Sequence, residues 1–105
     1  MFKTALYDKT SDLLDTCKRL DITLTTAESC TGGMISALLT EIPGSSASLH
    51  QSYVTYANKA KHAILGVQTD ILSDKGAVSE EVVRAMAEGA VIISGANISI
   101  AVSGI

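Results

Sequence analysis

Cysteine, basic charge and long apolar runs are all scarce in this chain, and each shortage removes a class of function. There are two cysteines, Cys17 and Cys30, in a spacing that fits neither a CxxC pair nor a disulfide framework. With no histidine cluster beside them, no metal site is expected, and a reducing cytoplasm is the simplest setting. Lysine and arginine number 8 against 11 acidic residues, a net charge of −3. Nucleic acid and anionic membrane surfaces are therefore excluded as main partners. No run approaches the roughly 18 apolar residues of a membrane span, and Met1–Lys9 lacks the apolar core of a signal peptide. There is no internal repeat, linker or low-complexity segment. What is present is a 47% hydrophobic composition in 105 residues, enough to pack one domain.

Periodicity divides the chain into alternating elements. Leu13, Leu14, Cys17 and Leu20 recur at helical spacing, with Ser11 or Asp12 placed to cap, so a helix is expected over 11–20. Residues 22–27 alternate as a first strand. Met34, Ile35, Leu38, Leu39 and Ile42 form a helical stripe that Pro43-Gly44 stops. After a polar loop at Ser45, Ser46 and Ser48, residues 51–57 are aromatic and β-branched and read as a second strand. Asn58 is expected to cap a helix ending at Gly66, and 69–75 to form a short one closed by Gly76. Ser79 caps a long helix with Glu80 and Glu81 in its first turn, ended by Gly95. Residues 97–103 alternate as a third strand. Helix, strand, helix, strand, helices, strand implies parallel pairing through right-handed crossovers in an α/β layered domain.

In such sheets ligands bind beyond the carboxyl ends of the strands, which would gather Ser29, Tyr56 and Ser103 on one rim. The run Thr26-Ala27-Glu28-Ser29-Cys30-Thr31-Gly32-Gly33 is a strand turning into a helix, a corner whose free N–H groups suit a phosphate, a carboxylate or an oxyanion. Ser29 is a candidate nucleophile or a helix cap. A serine nucleophile needs a base, and Lys61 lies on the apolar face of its helix, where desolvation lowers an amine's pKa. It could equally carry its amine out to water. Tyr56 could relay a proton or be a core aromatic with its hydroxyl at the surface. Cys30 is an alternative nucleophile or a small buried side chain, with His50 and His62 as alternative bases. Glu28 could orient a ligand amide or cap backbone N–H groups. Thr31-Gly32-Gly33 fits a tight turn, being neither a P-loop nor a dinucleotide fingerprint.

Five collinear segments carry a more specific resemblance: 26–33, Pro43-Gly44-Ser45-Ser46-Ala47, Val54-Thr55-Tyr56-Ala57-Asn58-Lys59-Ala60-Lys61, Gly76-Ala77-Val78-Ser79-Glu80-Glu81-Val82 and Val102-Ser103-Gly104-Ile105. Together they resemble the CinA C-terminal domain family of nicotinamide-nucleotide amidases, from about residue 10 to the end. Ala57 stands where that family often has serine. The resemblance implies a three-layer α/β/α sandwich on a largely parallel sheet. It further implies metal-free, cofactor-free hydrolysis of the carboxamide of nicotinamide mononucleotide to nicotinate mononucleotide and ammonia. By position, Ser29 matches the nucleophile, Lys61 the general base and Tyr56 an assisting hydroxyl. Ser103 matches a residue lining the site. Glu28, Cys30, Thr31, Gly32, Gly33, Gly44, Ser45 and Ser46 are expected to contact substrate. Family members continue past the Ser-Gly-Ile motif into further strands, so this single domain is expected to be C-terminally incomplete, with one pocket wall missing. A bare sheet edge and family habit imply a homodimer or higher oligomer. The alternative to an amidase is an inactive nucleotide-binding or interaction module of the same fold.

Overall fold

The computed structural model describes residues 2–105. Its elements are α1 (Thr4–Leu20), β1 (Leu24–Glu28), α2 (Met34–Thr40), a 3₁₀ turn (Ser45–Ala47), β2 (Leu49–Val54), α3 (Asn58–Leu65), α4 (Thr69–Lys75), α5 (Glu80–Ser94) and β3 (Ile98–Val102). The three strands form one parallel sheet in the order β2-β1-β3. α1 and α2 cover one face, where Leu14, Cys17, Leu39, Leu24 and Leu49 are buried together. α3, α4 and α5 cover the other, where Leu65, Leu72, Val82, Met86 and Ala90 close over Ala27. The expected three-layer α/β/α arrangement on a parallel sheet is therefore what forms. Among the described residues, no helix is long and apolar enough to cross a membrane.

β1 is the centre of the molecule. Every residue in it is buried, because both faces are covered and both edges are paired. A β-bulge shifts the register of β2, so that Leu24 faces Leu49 but Thr26 faces Ser52. The Thr25 hydroxyl donates to the Gln51 carbonyl at 2.8 Å inside this irregularity. The extra residue lets Leu49 face α1 and α2 while Tyr53 still packs beneath α5.

Several boundaries differ from expectation, β1 and β3 by one or two residues at their ends. α1 begins at Thr4 rather than near residue 11, because Thr10 is buried with its hydroxyl donating to the Leu6 carbonyl at 2.6 Å. That internal bond lets a threonine join the apolar stripe. The serines after Pro43-Gly44 wind into a 3₁₀ turn instead of a loop, and β2 runs over 49–54, not 51–57. Asn58 opens α3 as its first residue, with Ala57 in the capping position and no side-chain cap. Ser79 does cap α5, accepting from the Val82 N–H.

Gly89 sets the distance between α3 and α5. A Cβ placed on it would lie 1.9 Å from the Leu65 carbonyl oxygen, a backbone atom that cannot rotate aside. Gly89→Ala is therefore expected to destabilise the fold by about 1–3 kcal/mol despite alanine's better helix propensity. Urea unfolding checks this, and wild-type stability in the variant would mean the two helices are not packed this closely.

Candidate active site

The carboxyl end of β1 is built around a buried carboxylate. Glu28 is 0% exposed, and its two oxygens accept from the Thr31 hydroxyl at 2.7 Å, the Ile35 N–H at 2.9 Å and the Ser36 N–H at 3.0 Å. A helix start leaves N–H groups without intrahelical partners, and a carboxylate there also meets the positive end of the dipole. Glu28, expected among the substrate contacts, thus spends its charge on α2. It also takes the helix terminus that would otherwise suit a phosphate, so that part of the corner is already filled.

The chain between Glu28 and α2 must fold back within five residues. Gly32 and Gly33 make this possible with φ of 60° and 107°, a region that disfavours side chains. Ser29 opens the turn: its N–H donates to the Val102 carbonyl at 3.0 Å and its carbonyl accepts from the Gly32 N–H at 3.1 Å. Neither bond uses the hydroxyl. Ser29 is not a side-chain cap of α2, whose capping position is Gly33. The N–H groups of Cys30, Thr31 and Gly33 donate to no acceptor among the described residues. Cys30 is exposed rather than buried, with its sulfur so close to Gly104 that a Cβ there would lie 3.2 Å away.

Lys61 enters from α3. Its side chain is 1% exposed, and Nζ donates to the Tyr56 carbonyl at 3.0 Å. The amine does not reach water. Burial pushes its pKa below the ordinary 10.5, partly offset by the Cys30 thiol, which lies close enough to act on it electrostatically. Its place on the rim follows from two bonds: Nζ is held by the Tyr56 carbonyl, and Thr55, one residue earlier, donates its N–H to the carbonyl of Glu28, one residue before Ser29. Tyr56 takes part through its backbone, while its ring is 74% exposed beyond the end of β2, contrary to a core aromatic. Ser103 lies on the same rim, and its hydroxyl donates to the Ala77 carbonyl at 2.6 Å, tying β3 to the loop before α5.

Other candidates lie elsewhere. Gly44, Ser45 and Ser46 precede β2 and so sit at the amino end of the sheet, about 13 Å of strand from Ser29. His50 is exposed near that same end, and the His62 Nδ1 lies 2.8 Å from the Val67 carbonyl. The approximately 390 Å³ cleft between α3 and α4, lined by Asn58, Lys59, His62, Thr69, Leu72 and Ser73, contains none of the rim residues. Among the described residues, no group of three or more His, Cys, Asp or Glu could hold a metal. Two features of the rim went unread in the sequence. The Tyr56 carbonyl is invisible to any side-chain pattern, whereas fully buried Thr55 could have been found by continuing the alternation from Tyr53.

Comparison with known proteins bears on this rim directly. The model of the CinA C-terminal domain matches residues 7–105. A putative competence-damage inducible protein of Symbiobacterium thermophilum is 57% identical over 84 residues, 80% of this chain and 20% of that protein. A nicotinamide-nucleotide amidohydrolase PncC of Enterobacter agglomerans is 51% identical over 82 residues, 78% of this chain and 50% of that protein. The crystal structure of the competence/damage inducible protein CihA of Agrobacterium tumefaciens superposes with a TM-score of 0.98 at 43% identity, covering all of this chain and 64% of that one. The chain thus spans a fifth to a half of the length of these two curated relatives.

The lowered Lys61 pKa has a sign that can be checked. Between its folded-state value and 10.5 the unfolded chain holds a proton that the folded chain does not, so this group makes stability rise with pH through that window. Lys61→Met removes the contribution. Urea unfolding over a pH series is expected to show the wild type gaining on the variant as pH approaches 10.5; parallel curves would mean the amine is not desolvated.

Proposed function

Because the chain belongs to the CinA C-terminal domain family, we propose that its rim is the site of a serine amidase acting on the carboxamide of nicotinamide mononucleotide. The observation that carries this reading is the buried Lys61 amine, bonded to the Tyr56 carbonyl at the end of β2 that pairs with the Ser29-bearing strand. Burial lowers the pKa of an amine and so favours its action as a base for a hydroxyl that is unreactive by itself. The amidohydrolase name of the Enterobacter relative supports the reaction class.

In this mechanism Lys61 takes the Ser29 proton as the oxygen attacks the amide carbon. The N–H groups of Cys30, Thr31 and Gly33 are the donors for the resulting oxyanion, since α2's own first-turn donors Ile35 and Ser36 serve Glu28. Lys61 then returns the proton to the nitrogen as the C–N bond breaks, and ammonia leaves. Water, deprotonated by Lys61, attacks the Ser29 ester to release nicotinate mononucleotide and restore the hydroxyl. Tyr56 contributes the carbonyl that holds Nζ, and its exposed phenol is open to substrate. Ser103 braces the β3 wall. Assembly as a homodimer or larger oligomer is part of the proposal: among the described residues the outer edge of β3, a strand without charge or proline, is unpaired and open to a second copy or to a further strand.

Ammonia release from nicotinamide mononucleotide tests the proposal. Ser29→Ala is expected to lower turnover about 1,000-fold or more and Lys61→Ala about 100-fold or more, each with the fold retained by circular dichroism. An active Ser29→Ala variant removes the nucleophile assignment. Nucleotide binding by the wild type without ammonia release would favour a non-catalytic binding module instead.

A further inference from the structure

Thr55 is fully buried, and its hydroxyl has no hydrogen-bond partner among the described residues. An unsatisfied buried hydroxyl is costly, and valine would fill the same space without that cost. The two other such groups, Thr26 and Ser52, stand opposite one another in register on the α2 face of the sheet, away from the layer of α3. Thr55 has no cross-strand neighbour of that kind. Its position is defined by two bonds around it. Its own N–H donates to the Glu28 carbonyl at 2.8 Å, and the next carbonyl, that of Tyr56, accepts from Lys61 Nζ at 3.0 Å. The residue is thus bracketed between the strand that carries Ser29 and the amine of Lys61. Alternation from Tyr53, which packs beneath α5, turns the Thr55 side chain to the layer that α3 and Lys61 occupy.

Lys61 supplies a matching need. As a neutral amine it has two N–H groups and a lone pair, with one N–H committed to Tyr56. As an ammonium it has three N–H groups to place in a site that excludes water. The groups facing it are few. The turn after β1 offers the Cys30 thiol, and the α5 face against α3 offers Val82, Met86, Gly89 and Ala90, none of which is charged. The Glu28 carboxylate belongs to the opposite face and is engaged by α2. On α3 itself, Lys59 and His62 are exposed, and Glu88 of α5 lies near Gly66 at the far end of that helix.

We propose that Thr55 is a positioning residue whose hydroxyl accepts a hydrogen bond from Lys61 Nζ, directly or through one water, when Lys61 carries the proton taken from Ser29. No direct bond joins the two in the resting structure, where Nζ is turned to Tyr56. In this proposal the uncommitted hydroxyl answers the additional N–H that the base gains on protonation. The catalytic consequence rests on the amidase reading; the coupling between the two side chains does not.

The experiment follows the Lys61 ε-carbon by NMR titration in the full chain labelled with ¹³C-lysine, the signal assigned by its loss in Lys61→Met. Thr55→Val is expected to lower the Lys61 pKa by about one pH unit, since it removes an acceptor for the charged form, and Thr55→Ser to restore it. Thermal unfolding of Thr55→Val should be unchanged or improved, which separates positioning from packing. In the turnover assay the valine variant should lose about tenfold in kcat with KM unchanged, and its acid limb should move to lower pH; the serine variant should recover both. An unchanged Lys61 titration in Thr55→Val overturns the inference whatever turnover shows. Unchanged kcat and acid limb in that variant of an active enzyme overturn the catalytic role. A shifted titration in a wild type that releases no ammonia removes the amidase reading and leaves the coupling standing.

Discussion

One buried negative charge organises the upper half of this domain. The Glu28 carboxylate sits at the end of the central strand with no access to solvent, a placement that is unfavourable unless every lone pair is answered. Three donors answer it, and all three belong to the next fifteen residues of sequence: the Thr31 hydroxyl and the first-turn N–H groups of α2. The strand, the turn and the helix are thereby joined through a single side chain. Because the turn is pinned at both ends, Ser29 and Cys30 have little freedom except at their side chains. Rigidity of this kind is what a reacting hydroxyl requires, and it is obtained without any contact to the hydroxyl itself.

The same clasp divides labour between two anions. A helix start is a ready site for one negative group, and here the protein supplies that group internally. In the proposed reaction the oxyanion is therefore assigned to the turn's own amides, Cys30, Thr31 and Gly33, and not to the helix terminus behind them. Opposite this lies the buried amine of Lys61, carried by a short helix whose separation from α5 is fixed at Gly89. One face of β1 thus holds the carboxylate and the other holds the amine. The sheet separates the two, so the amine is not neutralised by this carboxylate.

Much of this was legible in the residues, and the reasons for the rest are specific. Ser79 before Glu80-Glu81, and Pro43-Gly44 after an apolar stripe, are local signals that act within one turn, so the start of α5 and the stop after α2 were readable. The rim location of Ser29 and Ser103 followed from parallel topology alone. Lys61 announced itself because a charged residue on an apolar helical face has few explanations. Thr10 concealed the first two turns of α1, since its hydroxyl is satisfied within the helix and only the structure reveals that it counts as apolar. Glu28 was ambiguous for a different reason: a carboxylate before a helix can serve a ligand or the helix, and spacing does not distinguish them. Tyr56 was read only in part, because its side chain drew attention while its carbonyl holds the Lys61 amine. The serines after Gly44 were drawn to the site by resemblance, although strand direction puts them at the opposite end.

The sequence distance across β1 and β3 has a consequence for when the rim can exist. Thr23 and Asn97 meet at one end of this strand pair although 74 residues separate them, and Ser29 meets Val102 at the other. Contacts of such span close late, because the whole intervening loop must be ordered first. On a ribosome the Glu28 clasp and α2 can assemble once residue 40 has emerged, while the wall formed by β3 awaits residues 98–102. The serine corner is thus shaped early and enclosed late, by topology alone.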